Sequence, residues 1–588
     1  RELYLENYWL KNKRAIEKGA DGPNFAWVVP AGQRRKADAA DLVNELRRQG
    51  VEVHTANAAF KISNTDVAAG DYVIRGDQPY HTLIDMYFGV QNYPVANPRP
   101  YDDTGWTMQY MRNVKLNKIS DKSIFEKPMT LLTAEAKAAG GVDGSGSFLV
   151  VEHTSDNNLM SLRFKNKDVK MQVAEEDFEL NGRKLRAGAL IIPNADRATL
   201  EPQLKTLGLS AWAAAAAPPV KTHASTIPRI GYVHSWSRTQ DEGWVRAALD
   251  HYSVPYTYFA DQKLKEGNLR AKYDVIIFPH VGGTSASMIS GIPITGTAPV
   301  PYKKTPQTPN LGGIDESDDI RGGMGFEGLQ ELAKFVQAGG ALITEGSTSS
   351  LMAEYNLSGG VTVEHPAELF ARGSILRGVF SDLKSPIAYG YDGKDLPVYF
   401  NQDPVLNAAG GGAGGFGGGG RGGLINGGAG QNITPNATPI FTSPLEPGDT
   451  PAAAAAPTGG RGGRAGGRGA APAGAAGAPA AGRGAGGRGG AFAADTGARP
   501  RVVLQFPSST SDMLLSGTLG GGEAIANRAL VVDMPMGSGH VVMFALRPFW
   551  RWQTQGTYFL AFNAILNWDH LDAGKAAPSA PATSASGQ

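Results

Sequence analysis

Ile230-Gly-Tyr-Val-His234, Tyr256-Thr-Tyr-Phe259, Tyr273-Asp-Val-Ile-Ile-Phe-Pro279 and Ala341-Leu-Ile-Thr344 are short apolar runs, and what lies between them decides the fold. Runs rich in β-branched and aromatic residues, with little alternation, suit strands buried on both faces. Between the first two, Asp241 to His251 reads as a helix capped by Asp241 or Thr239, whose oxygens can accept free N–H groups of the first turn. Before the last, Glu327 to Gln337 puts Leu329, Leu332, Phe335 and Val336 on one helical face, and Gly339-Gly340 ends it. Strands that alternate with helices predict a doubly wound, flavodoxin-like parallel sheet. The expected fold class is α/β throughout.

Upstream, Glu2 to Lys18 spaces Tyr4, Leu5, Tyr8, Trp9 and Ile16 as an amphipathic helix. Phe25 to Pro30, Ala37 to Gln49 and Val51 to Thr55 then read as strand, helix and strand, a βαβ unit that predicts parallel pairing. Further strands are expected at 70–75, 148–152 and 189–193, a helix from Pro79 to Phe88, and a hairpin turn at Asn181-Gly182. The alanine run from Ala211, closed by Pro218-Pro219, reads as a linker.

Downstream, 408–498 collapses to Gly, Ala, Pro and Arg, with few side chains able to offset the entropy of ordering. Disorder is the expectation there. Ala529 to Asp533 and Gly539 to Ala545 read as strands around Gly537-Ser-Gly539, and Thr557 to Trp568 as an apolar helix. The expected organisation is an α/β region over 1–210, a linker over 211–228, and an α/β domain over 229–407 and 499–571. The 408–498 stretch interrupts that domain, and 572–588 forms a loose tail.

Composition bounds the chemistry. The 588 residues contain no cysteine, which removes disulfides, thiolate metal sites and cysteine nucleophiles together. A formal net charge of +1 supplies no field to gather nucleic acid or an acidic membrane surface. No run approaches the ~20 apolar residues that span a bilayer. The chain opens Arg-Glu-Leu-Tyr, directly in helix-like sequence, and reads as cut from something longer.

Five candidate chemistries can be weighed. His365-Pro-Ala-Glu368 matches H-x-x-E, the paired ligands of carboxypeptidase-type zinc enzymes; Pro366 before Ala-Glu-Leu-Phe favours a plain helix start. Glu345-Gly-Ser-Thr-Ser-Ser350 follows a strand where doubly wound sheets place ligands. Ser347 with His280 as its base would make a hydrolase pair, and Glu345 shares that pocket, but the second glycine of a nucleophile elbow is missing. A turn with serine caps is the preferred reading. Gly282-Gly283 and Gly322-Gly-Met-Gly325 match no phosphate-binding motif. Arg421, Arg461 and Arg488 each precede Gly-Gly as in RNA-binding segments, but with Phe416 and Phe492 as the accompanying aromatics a spacer is preferred. Trp236, Trp244, Trp550, Trp552 and Tyr558 could line a sugar or peptide groove, with core packing the favoured role.

Several phrases resemble the downstream region of bacterial zinc carboxypeptidases of the carboxypeptidase A-like metallopeptidase family. They include Ala26-Trp-Val-Val-Pro-Ala-Gly-Gln33, Gly70-Asp-Tyr-Val-Ile-Arg75, Asp77-Gln-Pro-Tyr80 and Arg99-Pro-Tyr-Asp-Asp-Thr-Gly-Trp106. Others are Glu6-Asn-Tyr-Trp9, Tyr389-Gly-Tyr-Asp392, Pro397-Val-Tyr-Phe-Asn-Gln402 and Phe544-Ala-Leu-Arg-Pro-Phe-Trp550. The resemblance implies an upstream peptidase domain holding zinc, a partner within the same polypeptide, and an extracellular or periplasmic location. None of that domain's catalytic or zinc-binding residues can be carried onto this chain. The stretch from Arg229 to about Leu571 also resembles a class I glutamine amidotransferase-like domain, whose activity needs a cysteine at the elbow occupied here around Glu345 to Ser347. The leading expectation is therefore a non-catalytic accessory region, with no cofactor of its own. Two alternatives are a stand-alone module that binds glycans or cell-wall peptides, and a serine hydrolase. Nucleic acid and a membrane span are not expected.

Overall fold

The computed structural model describes residues 1–238, 240–408 and 499–575. These belong to one compact unit, an α/β assembly in which, among the described residues, three principal sheets carry the fold.

The first sheet runs Asn117–Ile119, Ala26–Val29, Tyr72–Arg75, His54–Ala56, Met129–Leu131, and every neighbouring pair is antiparallel. The parallel pairing expected of the βαβ unit is therefore corrected. The strands flanking the helix Lys36–Arg48 do run the same way, but Tyr72–Arg75 enters between them. Its residues Tyr72, Val73 and Ile74 are buried, and that apolar run gains more in the centre of the sheet than at its edge.

The second sheet runs Thr222–Ala224, Gln172–Ala174, Leu190–Ile192, Phe148–Val151, Ser210–Ala214, Gly141–Asp143. The run read as a linker from Ala211 thus begins inside a strand, paired on both sides. Small alanines fit there because Ala211, Ala213 and Ala214 are buried under neighbouring elements. The Asn181-Gly182 turn joins Phe178–Leu180 to Arg183–Leu185, with positive φ of 51° and 78° as a tight hairpin requires.

The third sheet carries the site. Thr257–Ala260, Ile230–His234, Val275–Phe278, Ala341–Glu345 and Gly539–Phe544 lie side by side in that order, all parallel. Antiparallel strands continue it through Ala529–Met536, Arg501–Gln505, Ser374–Phe380 and Asp395–Phe400. Alternate residues of the parallel strands face opposite cores. Tyr232, Ile277, Ile343 and Phe544 meet the helices Gln240–His251 and Gln555–Leu566, whereas Val233, Ile276, Leu342 and Met543 meet Gly325–Gln337. Every residue of Gln555–Leu566 is buried; side chains such as Phe559 and Phe562 contribute ~1.5–3 kcal/mol each by leaving water.

Val405–Ala408 and Arg501–Gln505, which flank the Gly/Ala/Arg-rich stretch, both pair with Ala529–Met536. The stretch itself, with its Arg-Gly-Gly segments, and the tail from 576 lie outside the described residues, as does Thr239. One apolar cluster joins Leu149, Val151 and Ile192 of the second sheet to the third, and another joins Trp27 and Ile74 of the first to Tyr399 and Trp550. The upstream region and the parallel domain therefore share cores.

Candidate functional site at the carboxyl edge of the parallel sheet

The carboxyl ends of the parallel strands gather His280, Glu345 and Arg547 from three adjacent strands. Between Glu345 and the helix Ser347–Glu354 the chain turns sharply at Gly346, at φ 56° and ψ −126°. Side chains are disfavoured in that conformation. A Cβ placed there would also stand 2.4 Å from His280 Nδ1, far inside contact distance. The residue at the apex of the elbow therefore presents no nucleophile, and the imidazole fills the space one would need.

Ser347 and His280 are brought together, but not as nucleophile and base. The backbone N–H of Ser347 donates to His280 Nδ1 at 3.0 Å. The Ser347 hydroxyl oxygen accepts from the amides of Val281 at 3.2 Å and Gly282 at 2.8 Å. With Nδ1 accepting, the neutral ring carries its proton on Nε2. Burial, and then the nearby Arg547 and Arg238 guanidiniums, push the imidazole down to about 2, so the ring stays neutral. A base that neither touches the hydroxyl nor holds protons near neutrality does not activate a serine.

Glu345 is buried, and its Oε1 has no hydrogen-bond partner among the described residues. Burial, with Asp241 adding to it and Arg547 opposing, pushes this carboxyl up to about 8. At neutral pH it is a protonated acid. Asp241, in the first turn of its helix, pairs with Arg547 at 3.1 Å; burial raises its pKa as well. The Arg547 guanidinium also lies 4.9 Å over the ring of Trp550. Trp550 Nε1 donates to Asp103 at 2.8 Å, as does the Tyr399 hydroxyl at 2.9 Å. The edge thus sets the Glu345 and Asp241 carboxyl groups beside the Arg547 guanidinium, with Arg551 3.4 Å from Asp103.

The zinc motif does not assemble. His365 lies 3.5 Å from Glu354, with 71% of its side chain exposed, and Glu368 is exposed. Among the described residues no group of three His, Asp or Glu side chains is placed to hold a metal ion. The downstream histidines are engaged elsewhere, His540 with Asp533 at 2.6 Å and His570 against the ring of His223. Trp550 and Tyr558 are core residues; Trp552 and Trp244 pack against the cores, and Trp236 lies between His234 and Tyr302.

Sequence reading missed Asp241 as more than a cap, and missed Arg547, Asp103 and Tyr399 altogether as site residues. Arg547 closely follows the strand expected over Gly539 to Ala545, and the strand-end rule reaches it once that strand pairs in parallel with Ala341–Glu345.

No family model matches the sequence, and no curated protein matches it. Among solved structures the chain is similar to a cytoplasmic protein of Salmonella typhimurium LT2, at 12% identity and a TM-score of 0.26, over 59% of this chain and 100% of that one. It is similar to a second cytoplasmic protein of Salmonella typhimurium at 10% identity and 0.25, over 58% and 98%. It is also similar to the β-galactosidase of Bacillus circulans sp. alkalophilus at 10% identity and 0.25, over 58% and 31%. Likenesses of this size carry no conclusion about the chain.

Proposed function

We propose that the chain is the non-catalytic accessory region of a secreted zinc carboxypeptidase-like protein, built around a degenerate class I amidotransferase-like domain of flavodoxin-like type. The observation that carries the non-catalytic reading is Gly346, which leaves the elbow without a nucleophile while His280 fills the space. Numbered along the domain, the parallel strands fall in the order 2-1-3-4-5. That order supports the flavodoxin-like assignment. The carboxypeptidase affiliation rests on the sequence phrases that resemble that family, among them Tyr389-Gly-Tyr-Asp392 and Phe544 to Trp550.

Zinc would belong to the upstream peptidase domain. The first helix, Glu2–Asp21, supports packing against such a partner: Leu3, Tyr4, Leu5, Tyr8 and Trp9 are all more than half exposed. The packing of Trp236, Trp244, Trp550 and Trp552 removes support from a glycan groove. The Ser347–His280 geometry does the same for a serine hydrolase.

The test is to sequence the gene upstream of the codon for Arg1 and to express the upstream domain with and without this chain. The reading predicts a peptidase domain that loses stability when this chain is removed, and no hydrolysis of peptides, esters or glutamine by this chain alone. An upstream domain indifferent to the truncation, or turnover by this chain abolished by Ser347→Ala, would contradict it.

A further inference from the structure

Away from the sheet edge, a cavity of about 520 Å³ opens between the Phe178–Leu185 hairpin region and the Tyr389-Gly-Tyr391 turn. Ligand pockets for small molecules begin at ~300 Å³, so the space suits a compact ligand rather than a single ion.

Its lining is unusual in how the charges are disposed. The hairpin side contributes Glu176, Asp177 and Arg186, and the opposite side contributes Lys384 and Lys575. Some of the charges on this surface pair with one another. Glu175 does so with Lys221 at 2.6 Å, and Lys575 does so with Asp572. Among the described residues, however, the side chains of Glu176, Arg186 and Lys384 form no hydrogen bond or ion pair, and no ion pair crosses the cavity. The lining therefore carries unpaired charge of both signs, with Arg186 on the same side as Glu176.

Beneath the lining lies an unsatisfied hydroxyl. Tyr389 is 1% exposed, and its hydroxyl makes no hydrogen bond although it is buried. A buried hydroxyl left unpaired costs ~1–3 kcal/mol.

We propose that this cavity binds a short peptide with free ends, its carboxylate held by Lys384 and Arg186 and its ammonium by Glu176 and Asp177. A zwitterion satisfies both sets at once, whereas an anion or a cation alone satisfies one and is repelled by the other. The proposal does not depend on the accessory reading, since the cavity lies outside the sheet edge.

The test is calorimetric titration of the 588-residue chain with trialanine, N-acetyl-trialanine, trialanine amide and the doubly capped peptide. Saturable binding of trialanine is expected, with each single cap weakening it at least ~10-fold and the double cap abolishing it. Lys384→Glu should weaken trialanine to a similar degree while leaving the affinity for trialanine amide within about twofold. Glu176→Lys should do the converse, sparing N-acetyl-trialanine. Both side chains are exposed, so these variants should keep the wild-type melting temperature. Absence of trialanine binding at millimolar concentration, equal binding of the capped peptides, or unchanged affinity in both charge variants would overturn the proposal.

Discussion

The strands Ala341–Glu345 and Gly539–Phe544 are neighbours in register, yet their two ends are built in opposite ways. At the amino end, His540 bonds to Asp533 at 2.6 Å and approaches Asp572 at 3.6 Å, with Lys575 on both carboxylates. At the carboxyl end, Glu345 is buried with an unpartnered oxygen, beside a neutral imidazole and the Arg547 guanidinium, which is itself paired with Asp241. One end is an ionic latch that ties the last described segment to the sheet. The other is costly to keep. Protein folds tolerate such cost chiefly at functional sites, which is what marks the carboxyl end as the candidate site.

The comparison can be broken most severely at the latch. Burial alone would lower the His540 pKa, but the bonds to Asp533 and Asp572 outweigh it and raise it from 6.5 to about 9. A raised histidine adds stability that is complete below pH 6.5 and is lost as pH rises toward 9. His540→Leu leaves Asp533 buried without its partner and should cost ~3–5 kcal/mol, read as a lower urea midpoint. The loss should be largest at pH 6 and shrink by pH 9.

Glu345→Gln should act in the opposite direction. The carboxyl is raised from 4.5 to about 8, so the wild type loses stability as pH climbs between those values. Replacing it with a neutral amide should stabilise the protein by about 3 kcal/mol at pH 7 and by nothing near pH 4. A variant as stable as the wild type at both pH values would show that Glu345 is solvated. Gly346→Ser sharpens the contrast from another side. The strained φ and the contact with His280 should cost ~1–3 kcal/mol, with no ester hydrolysis gained in return. The smallest stability effects belong to Glu176→Lys and Lys384→Glu, within ~0.5 kcal/mol, because they change the cavity's charge and not the core.

The parallel domain was legible because its signal is local. Ile230 to His234, Val275 to Phe278 and Ala341 to Glu345 are apolar runs separated by helix-period segments, and that alternation admits few arrangements. The upstream sheet was not, because local pattern specifies a strand–helix–strand unit without saying which strand will enter between its two strands. Tyr72–Arg75 did so. Ala211 to Ala214 misled for a related reason: alanine favours no strand, and its place there is fixed by pairing on both sides. At the site, the strand-end rule brought His280, Glu345 and Ser347 to one place. The pairing of Asp241 with Arg547, and the capture of Nδ1 by the Ser347 amide, depend on contacts between distant segments that no spacing encodes.

The most direct test of the central claim is the protonation state of Glu345 itself. Infrared difference spectra of the wild type against Glu345→Gln should show one protonated-carboxyl stretch at pH 7, removed by the substitution and titrating near the expected value of about 8. A carboxylate signal for Glu345 already present at pH 6 would mean that the carboxyl edge is solvated and paired like the opposite end, and the contrast drawn between the two ends would fail.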